Sequence, residues 1–209
     1  DGGFYESLGY APYTVHGLFH YADALSRITG DERLLQLPQL AAIVDQYLYT
    51  YYPTNSGPYT LNFGDHHSDS FPEAQVLAYL ARVTQNPQMQ WYYKLGSPHP
   101  TSPQELAWFD PDLPAKTPDH LPASRLFRDI GWGILRTGWS GEDTFFAIKC
   151  GDTWNHAHAD AASFVLYAGG EPLIIDPGCC LYEKPEYMSY YKQSIAHNVV
   201  LLDGRGQDA

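Results

Sequence analysis

Histidine and aspartate side chains gather in the last third of the sequence at spacings that could bind a metal ion. The alternating residues are His156, His158 and Asp160, and two further candidates beside apolar runs are Asp176 and His197. Imidazole and carboxylate groups are typical zinc ligands, usually three or four together. In an extended backbone, alternate side chains would project from one face. An isolated histidine is more often an ordinary loop or core residue, but this combination predicts a zinc site.

A longer pattern around these residues carries a resemblance to a known family. It consists of His156-Ala157-His158-Ala159-Asp160, Ser163-Phe164, Asp176-Pro177-Gly178, His197-Asn198, Asp203-Gly204 and Gln207. This series resembles the heparinase II/III-type polysaccharide lyases, which include heparin, heparan sulfate and alginate lyases. The segment from Asp1 to Tyr10 resembles part of their helical domain. The resemblance implies an α+β multidomain fold, with the C-terminal part of an incomplete (α/α) toroid followed by an antiparallel β-sandwich.

The resemblance implies a catalytic pair drawn from the two ends of the chain. Tyr10 matches the catalytic tyrosine of the family, and His156 matches its catalytic or substrate-orienting histidine. The glycine that accompanies the tyrosine is shifted here, so Tyr5 and Tyr13 remain alternatives to Tyr10. The family's Asn-His pair precedes that tyrosine and has no counterpart in this sequence. We therefore expect a fragment, which could bind zinc and yet be inactive by itself.

The resemblance also assigns the metal ion. The implied ligands of Zn²⁺ are His158, Asp176 and His197, with a water or nearby oxygen as the fourth. In the family this zinc is chiefly structural and holds loops of the β domain under the cleft. Asp160 is expected to orient one of the histidines rather than to bind the metal.

Residues for substrate binding are less narrowly defined. The candidates are Glu6, Asn155 and Tyr182. Glu6 could instead be a carboxylate at a helix N-terminus, where the helix dipole favours negative charge. Tyr182 follows the Asp-Pro-Gly turn and could reach the cleft, but it competes with Tyr187, Tyr190 and Tyr191.

The family's uronate-containing substrates dictate what the site must do. In β-elimination the C5 proton beside the carboxylate leaves and the C4–O bond breaks. The carboxylate must be neutralised by hydrogen bonds or cations to stabilise the enolate-like intermediate. A base must reach C5 and an acid must reach the glycosidic oxygen, and tyrosine and histidine can fill both roles. A tyrosine base needs its pKa lowered from about 10, which a nearby cation can achieve.

Composition limits the partners of the protein. The 209 residues are 44% hydrophobic, enough for a sizeable core in one or two domains. The net charge of −12 argues against nucleic acid, because phosphate binding needs clustered Lys and Arg. It also opposes a polyanionic sugar unless a metal or local cations make the cleft attractive. The expected partner is a uronate-containing polysaccharide or oligosaccharide; the oligomeric state is open.

The sequence also bears on the compartment. No run approaches the ~20 apolar residues of a membrane-spanning helix, and no signal peptide is visible. The three cysteines do not decide the redox environment, since Cys179 and Cys180 are adjacent and Cys150 has at most one partner. Composition and resemblance together predict a periplasmic or secreted protein.

Residues 1–94 are predicted to be helical. Apolar residues recur at three- and four-residue steps from Tyr13 to Ile28, from Pro38 to Leu48, and from Ser70, as N-cap, to Val83. These amphipathic helices fit part of an α/α array, although any helical bundle would give this pattern. Residues 53–69 are predicted to be a long loop. The histidines expected to be solvated are His66, His67, His99 and His120.

The remaining sequence divides into a linker and a β domain. Residues 95–124 contain repeated prolines, which predict a Pro-rich linker without helix. Residues 125–209 contain short apolar runs separated by Gly, Asp or Pro, typical of an antiparallel sandwich. The expected strands are 126–128, 132–136, 144–149, 164–167, 173–175 and 199–202.

Two other functional classes compete with a polysaccharide lyase. His-x-His-x-Asp also occurs in metallo-β-lactamase-like hydrolases, but those have a histidine directly after the aspartate, where Ala161 stands here. A non-catalytic, zinc-stabilised carbohydrate-binding module is the other alternative. The sequence favours a carbon–oxygen lyase that cleaves uronate-containing glycans.

Overall fold

Helices precede an antiparallel sheet along the chain. The computed structural model describes residues 1–54, 57–67, 72–151 and 156–207. The helices in these ranges are α1 (Ser7–Thr29), α2 (Pro38–Thr50), α3 (Ala74–Thr84), α4 (Pro87–Gly96) and α5 (Pro103–Trp108). The strands are β1 (Tyr51–Thr54), β2 (Gly57–Thr60), β3 (Ser124–Phe127), β4 (Trp132–Arg136), β5 (Phe145–Lys149), β6 (Phe164–Ala168) and β7 (Glu171–Ile174). The mixed α+β composition is as predicted.

The helical half is built around one apolar cluster to which α1–α4 contribute. Its buried members include Phe19 of α1, Tyr47 of α2 and Leu77 of α3. Helix α4, which the sequence analysis did not predict, begins with a clear cap: the Asn86 side chain accepts hydrogen bonds from the backbone N–H of Gln88 and Met89, both at 2.9 Å. Such a cap satisfies N–H groups that the first helical turn leaves free.

Two loop predictions in this half are corrected. The segment predicted as a loop from residue 53 begins with a hairpin, in which β1 pairs with β2. The proline-rich linker contains α5, because Pro103 occupies the start of that helix, where its missing N–H costs nothing. Ser70, the predicted cap of the third helix, lies outside the described residues.

The second half contains a five-stranded antiparallel sheet in the order β3-β4-β5-β6-β7. In β4 the side chains of Trp132, Ile134 and Arg136 are buried, while Leu135 between them is exposed. The buried face forms a second core, to which Tyr49 and Tyr52 of the helical half also contribute. This shared core joins the hairpin region to the sheet.

The chain after β7 contains no strand in the described residues. A π-helical turn spans Tyr187–Tyr191 and a 3₁₀ helix spans Ser194–Ala196. The predicted strand 199–202 is wrong, because this run makes only an isolated bridge between Leu202 and Arg205. None of the helices in the described ranges is long and apolar enough to cross a membrane.

Candidate active site

A short loop from the helical half, residues 61–67, lies against the segment that carries the two histidines. Gly64 has a φ of +75°, and a Cβ atom at this position would lie 2.7 Å from the carbonyl oxygen of His156. The backbone N–H of Asp65 donates to the same oxygen at 3.0 Å. Glycine permits this close approach, because it has no Cβ and adopts positive φ without strain. The contact brings the Asp65 carboxylate to the histidines.

The His-x-His motif itself lies in the connection between β5 and β6 rather than in an extended strand. His156 has a φ of +57°, in the left-handed region. His156 and His158 nevertheless both reach Asp65. We had expected Asp160 to orient one of the histidines. Instead, its carboxylate forms a buried ion pair with Lys149.

Tyr10 of α1 is in direct contact with His156. The two rings stack with their centroids 3.6 Å apart and their planes 14° from parallel. The hydroxyl of Tyr10 shares a short hydrogen bond with that of Tyr182. The alternative tyrosines are placed differently: the Tyr5 hydroxyl donates to a backbone carbonyl in the turn between β3 and β4, and Tyr13 is 75% exposed.

Four side chains converge on the Asp65 carboxylate, whose side chain is 1% exposed. Its Oδ1 lies 2.8 Å from Nε2 of His158. Its Oδ2 accepts from the hydroxyls of Tyr187 at 2.8 Å and Tyr182 at 3.0 Å, and lies 3.1 Å from Nδ1 of His156. No feature of the sequence had drawn attention to Asp65.

These contacts determine the protonation of the cluster. Burial raises the pKa of Asp65, but the hydrogen bonds from His158, Tyr187 and His156 outweigh it and hold the pKa below its ordinary value. Burial, together with the hydrogen bonds to Tyr10 and Asp65, raises the pKa of Tyr182. At neutral pH the cluster therefore contains an ionised carboxylate and a protonated tyrosine donor.

The three residues predicted to bind zinc also come together in the interior. Nδ1 of His197 lies 2.8 Å from Oδ2 of Asp176, and Nε2 of His197 donates to the carbonyl of Tyr191 at 2.8 Å. The rings of His158 and His197 are 5.1 Å apart. The side chains of His158, Asp176 and His197 are all 0% exposed.

The hydrogen bonds of the two histidines are compatible with metal binding. Each ring uses Nε2 for an oxygen acceptor, Asp65 for His158 and a backbone carbonyl for His197, which is how metal-bound histidines are commonly oriented. Nδ1 of His158 is buried without a hydrogen-bond partner among the described residues. The types of donor therefore fit zinc. In the described ranges, however, no group of three or more His, Cys, Asp or Glu side chains is already placed so that it could hold a metal ion.

A cleft of about 450 Å³ opens beside Tyr10. Its walls come from the start of α1, the 61–67 loop and residues 179–183. Among the described residues that line the cleft, three carry carboxylates, Asp65, Glu73 and Glu183, and none is Lys or Arg. Burial raises the pKa of the Cys179 thiol, which also lines the cleft, to about 12, so this thiol is neutral at physiological pH.

Part of the chain matches a known protein family. Residues 119–208 match the family described as heparinase II/III-like, C-terminal. Residues 119–208 are a heparinase II/III-like domain. The resemblance seen in the sequence is confirmed, and no curated protein shows a significant match to the chain.

Solved structures extend the likeness to the helical half of the chain. A heparan sulfate lyase from Pedobacter heparinus is 19% identical with a TM-score of 0.69, over 98% of this chain and 30% of that chain. A heparinase III gene product is 20% identical with a TM-score of 0.66, again over 98% of this chain and 30% of its own. At such identities the likeness shows a shared fold. The chain spans about 30% of the length of these structures.

The remaining predicted residues are placed as follows. Tyr182 lines the cleft, whereas Glu6 occupies the N-cap position of α1 and is not among the described lining residues. Asn155 lies outside the described residues. His66, expected to be solvated, is only 7% exposed because it packs against α1, where a Cβ at Gly9 would lie 2.8 Å from its Nδ1. The histidines that are exposed as predicted are His67, His99 and His120.

Proposed function

We propose that the protein containing this chain is a polysaccharide lyase that cleaves uronate-containing glycans by β-elimination. The observation that carries the proposal is the stacking of Tyr10 on His156 beside the cleft, which puts a phenol and an imidazole next to each other. The heparinase II/III-like domain supports it, as does the shared fold with a protein described as a heparan sulfate lyase.

In the proposed mechanism Tyr10 transfers the proton. Its hydroxyl group gives its proton to the glycosidic oxygen as the C4–O bond breaks, and His156 shares the transfer by accepting the C5 proton at Nε2; the proton then returns from His156 to Tyr10. Tyr182 stays protonated, since burial raises its pKa, and its ring lines the cleft next to Tyr10, where it can contact the substrate.

The proposed metal is Zn²⁺, held by His158, Asp176 and His197. Two observations support this set: Nδ1 of His158 is buried and has no hydrogen-bond partner in the part of the chain that the structure describes, and Nδ1 of His197 faces the Asp176 carboxylate. Zinc bound there would add to the stability of the folded state, because the unfolded chain lacks the site. Its ligands come from three separate segments, so its proposed role is to hold these segments together beside the catalytic pair.

The finer fold and the location of the whole protein are also proposals. The outward face of the sheet bears Leu126 and Leu135, each 51% exposed, together with Phe146, Ile148 and Leu166. A sheet that is apolar on both faces usually packs against a second layer, which supports a β-sandwich. The helices would belong to an incomplete (α/α) toroid, and the protein would act in the periplasm or outside the cell.

Incubation of the full-length protein with a panel of polyuronates tests the function. A lyase produces an unsaturated uronate at the new non-reducing end, which is detected by its ultraviolet absorbance. Binding without cleavage of any polymer would instead favour the carbohydrate-binding module. Cleavage into saturated ends would favour a metal-dependent hydrolase.

A further inference from the structure

Asp65 stands apart from the other buried carboxylates because it lines the cleft and has two imidazoles and two phenol groups as partners. Its two oxygens are surrounded by the imidazoles of His156 and His158 and the hydroxyls of Tyr182 and Tyr187. A carboxylate accepts hydrogen bonds and donates none. Each of the four neighbours must therefore direct a proton at Asp65.

This requirement fixes the tautomer of His156. Nδ1 is the ring nitrogen next to Asp65, at 3.1 Å, so Nδ1 carries the proton. In a neutral imidazole the other nitrogen, Nε2, is then unprotonated and can accept a proton. The same carboxylate thus decides which end of the His156 ring is basic, as the aspartate does in a catalytic triad.

The requirement also fixes the direction of the tyrosine hydrogen bonds. The single hydroxyl proton of Tyr182 is donated to Oδ2 of Asp65. In the hydrogen bond between the two tyrosines, Tyr182 must then accept and Tyr10 must donate. Tyr10 therefore carries its proton in this arrangement, and Nε2 of His156 is the group that can accept one.

We propose that Asp65 is a positioning residue of the active site, which holds His156 with its proton on Nδ1 and turns the Tyr182 hydroxyl so that Tyr10 donates to it. The inference rests on the proposed lyase function for its kinetic consequence. Its structural consequence, the tautomer of His156, does not depend on that function.

Nuclear magnetic resonance of the imidazole nitrogens tests the structural part. In the full-length protein, the nitrogen signals of His156, assigned by their loss in His156→Gln, should show a protonated Nδ1 and an unprotonated Nε2. Asp65→Asn keeps the size of the side chain but replaces one acceptor with an amide donor, so the proton should shift towards Nε2. A wild-type His156 protonated on Nε2, or an unchanged tautomer in Asp65→Asn, would overturn the proposal.

The kinetic part separates positioning from general stability. With a cleaved polyuronate, Asp65→Asn should lower kcat by about 10²-fold, the scale of a misplaced acid–base group, while KM changes far less. The matched control is Glu105→Gln, which alters another buried carboxylate whose donors are Tyr93, Ser97, Thr101 and Ser102, outside the cleft.

The control should lose thermal stability and keep its kcat. If both variants lose kcat equally at equal folded fractions, Asp65 acts only through stability and the proposal is wrong. If the wild-type protein forms no unsaturated product, the lyase function fails, and the tautomer of His156 still decides the role of Asp65.

Discussion

The hydroxyl oxygen of Tyr10 can be removed without disturbing the packing of its ring. In Tyr10→Phe the stacking on His156, with centroids 3.6 Å apart, is retained. If this oxygen transfers the proton, turnover should fall by roughly 10²-fold or more at unchanged melting temperature. Initial rates of unsaturated-product formation measure the effect.

The control for Tyr10→Phe is Tyr93→Phe, which removes a buried hydroxyl that hydrogen bonds to Glu105 in the helical half. Its turnover should be that of the wild type. Near-normal turnover in Tyr10→Phe would contradict the assignment, and Tyr5 and Tyr13 would be tested next.

The two histidines of the motif should respond differently to substitution. His156→Ala should abolish turnover and retain zinc, because this ring faces Tyr10 and Tyr182. His158→Ala should lose zinc and melt at a lower temperature, because its side chain is buried next to His197. Metal analysis and thermal unfolding of the purified variants check both outcomes. Loss of zinc from His156→Ala would mean that the two roles are exchanged.

At the residue scale, local patterns were predictable and distant contacts were not. His156, His158, Asp176 and His197 could be found because their residue types and spacing are distinctive, and the resemblance added Tyr10. Asp65 is one of 24 acidic residues, and its contact with His156 spans 91 positions. The available signal was a Gly-Asp-His-His run directly after apolar, buried residues at 61 and 63.

At the element scale, the 61–67 loop depends on its glycine. Gly64→Ala would force a side chain into the left-handed region and place its Cβ 2.7 Å from the His156 carbonyl oxygen. Backbone strain of this kind costs about 1–3 kcal/mol. The loop must also move away from His156, which displaces Asp65, so turnover should fall as well as stability. Chemical denaturation and initial rates measure the two effects.

Gly30→Ala is the matched control for the glycine substitution. Gly30 ends α1 with a φ of +73°, and a Cβ there would meet nothing within 4 Å. The control should therefore lose a comparable amount of folding stability through backbone strain and keep full turnover. Equal turnover in the two variants would show that the close contact with His156 has no part in activity.

The elements themselves were predicted where the pattern was strong. The short apolar runs 132–136 and 144–149 predicted β4 and β5 nearly to the residue. The run 199–202 is equally apolar, but Val200 is 80% and Leu202 75% exposed. Apolar composition alone therefore predicted a strand where no neighbouring strand is present among the described residues to pair with it. Helix α5 was missed because every proline in residues 95–124 was taken to exclude a helix. Pro103 stands at the start of α5, where proline is favoured.

At the scale of the whole molecule, Arg136 of β4 connects the sheet to the helices. Its guanidinium donates to the carbonyls of Tyr49 and Tyr51 at the end of α2, both at 2.7 Å. The carbonyl of Tyr49 cannot find its usual helical donor, because the residue four positions on is Pro53, which has no N–H. Helix α2 also has no basic residue in its last turn, so Arg136 supplies the positive charge that a helix C-terminus favours.

Replacement of Arg136 should therefore loosen the junction between the two halves. The guanidinium also lies 3.9 Å from the ring centroid of Trp139, so Arg136→Met removes this contact and leaves two carbonyls without their donors. The expected loss is on the order of 3 kcal/mol, since each unsatisfied buried acceptor costs about 1–3 kcal/mol. Arg136→Lys, which keeps a charge and hydrogen-bond donors, should lose less.

Denaturant unfolding measures this coupling when it is followed by circular dichroism for the helices and by tryptophan fluorescence for the sheet half, in a Trp91→Phe, Trp108→Phe background that removes the tryptophans of α4 and α5. The two signals should change together in the wild-type protein, because the halves share a core, and separate in Arg136→Met if the junction opens first. Tyr10 comes from α1 and His156 from the sheet half, so opening the junction should also reduce turnover before either half unfolds. Coincident transitions at the wild-type midpoint in Arg136→Met would show that the shared aromatic core alone holds the cleft together.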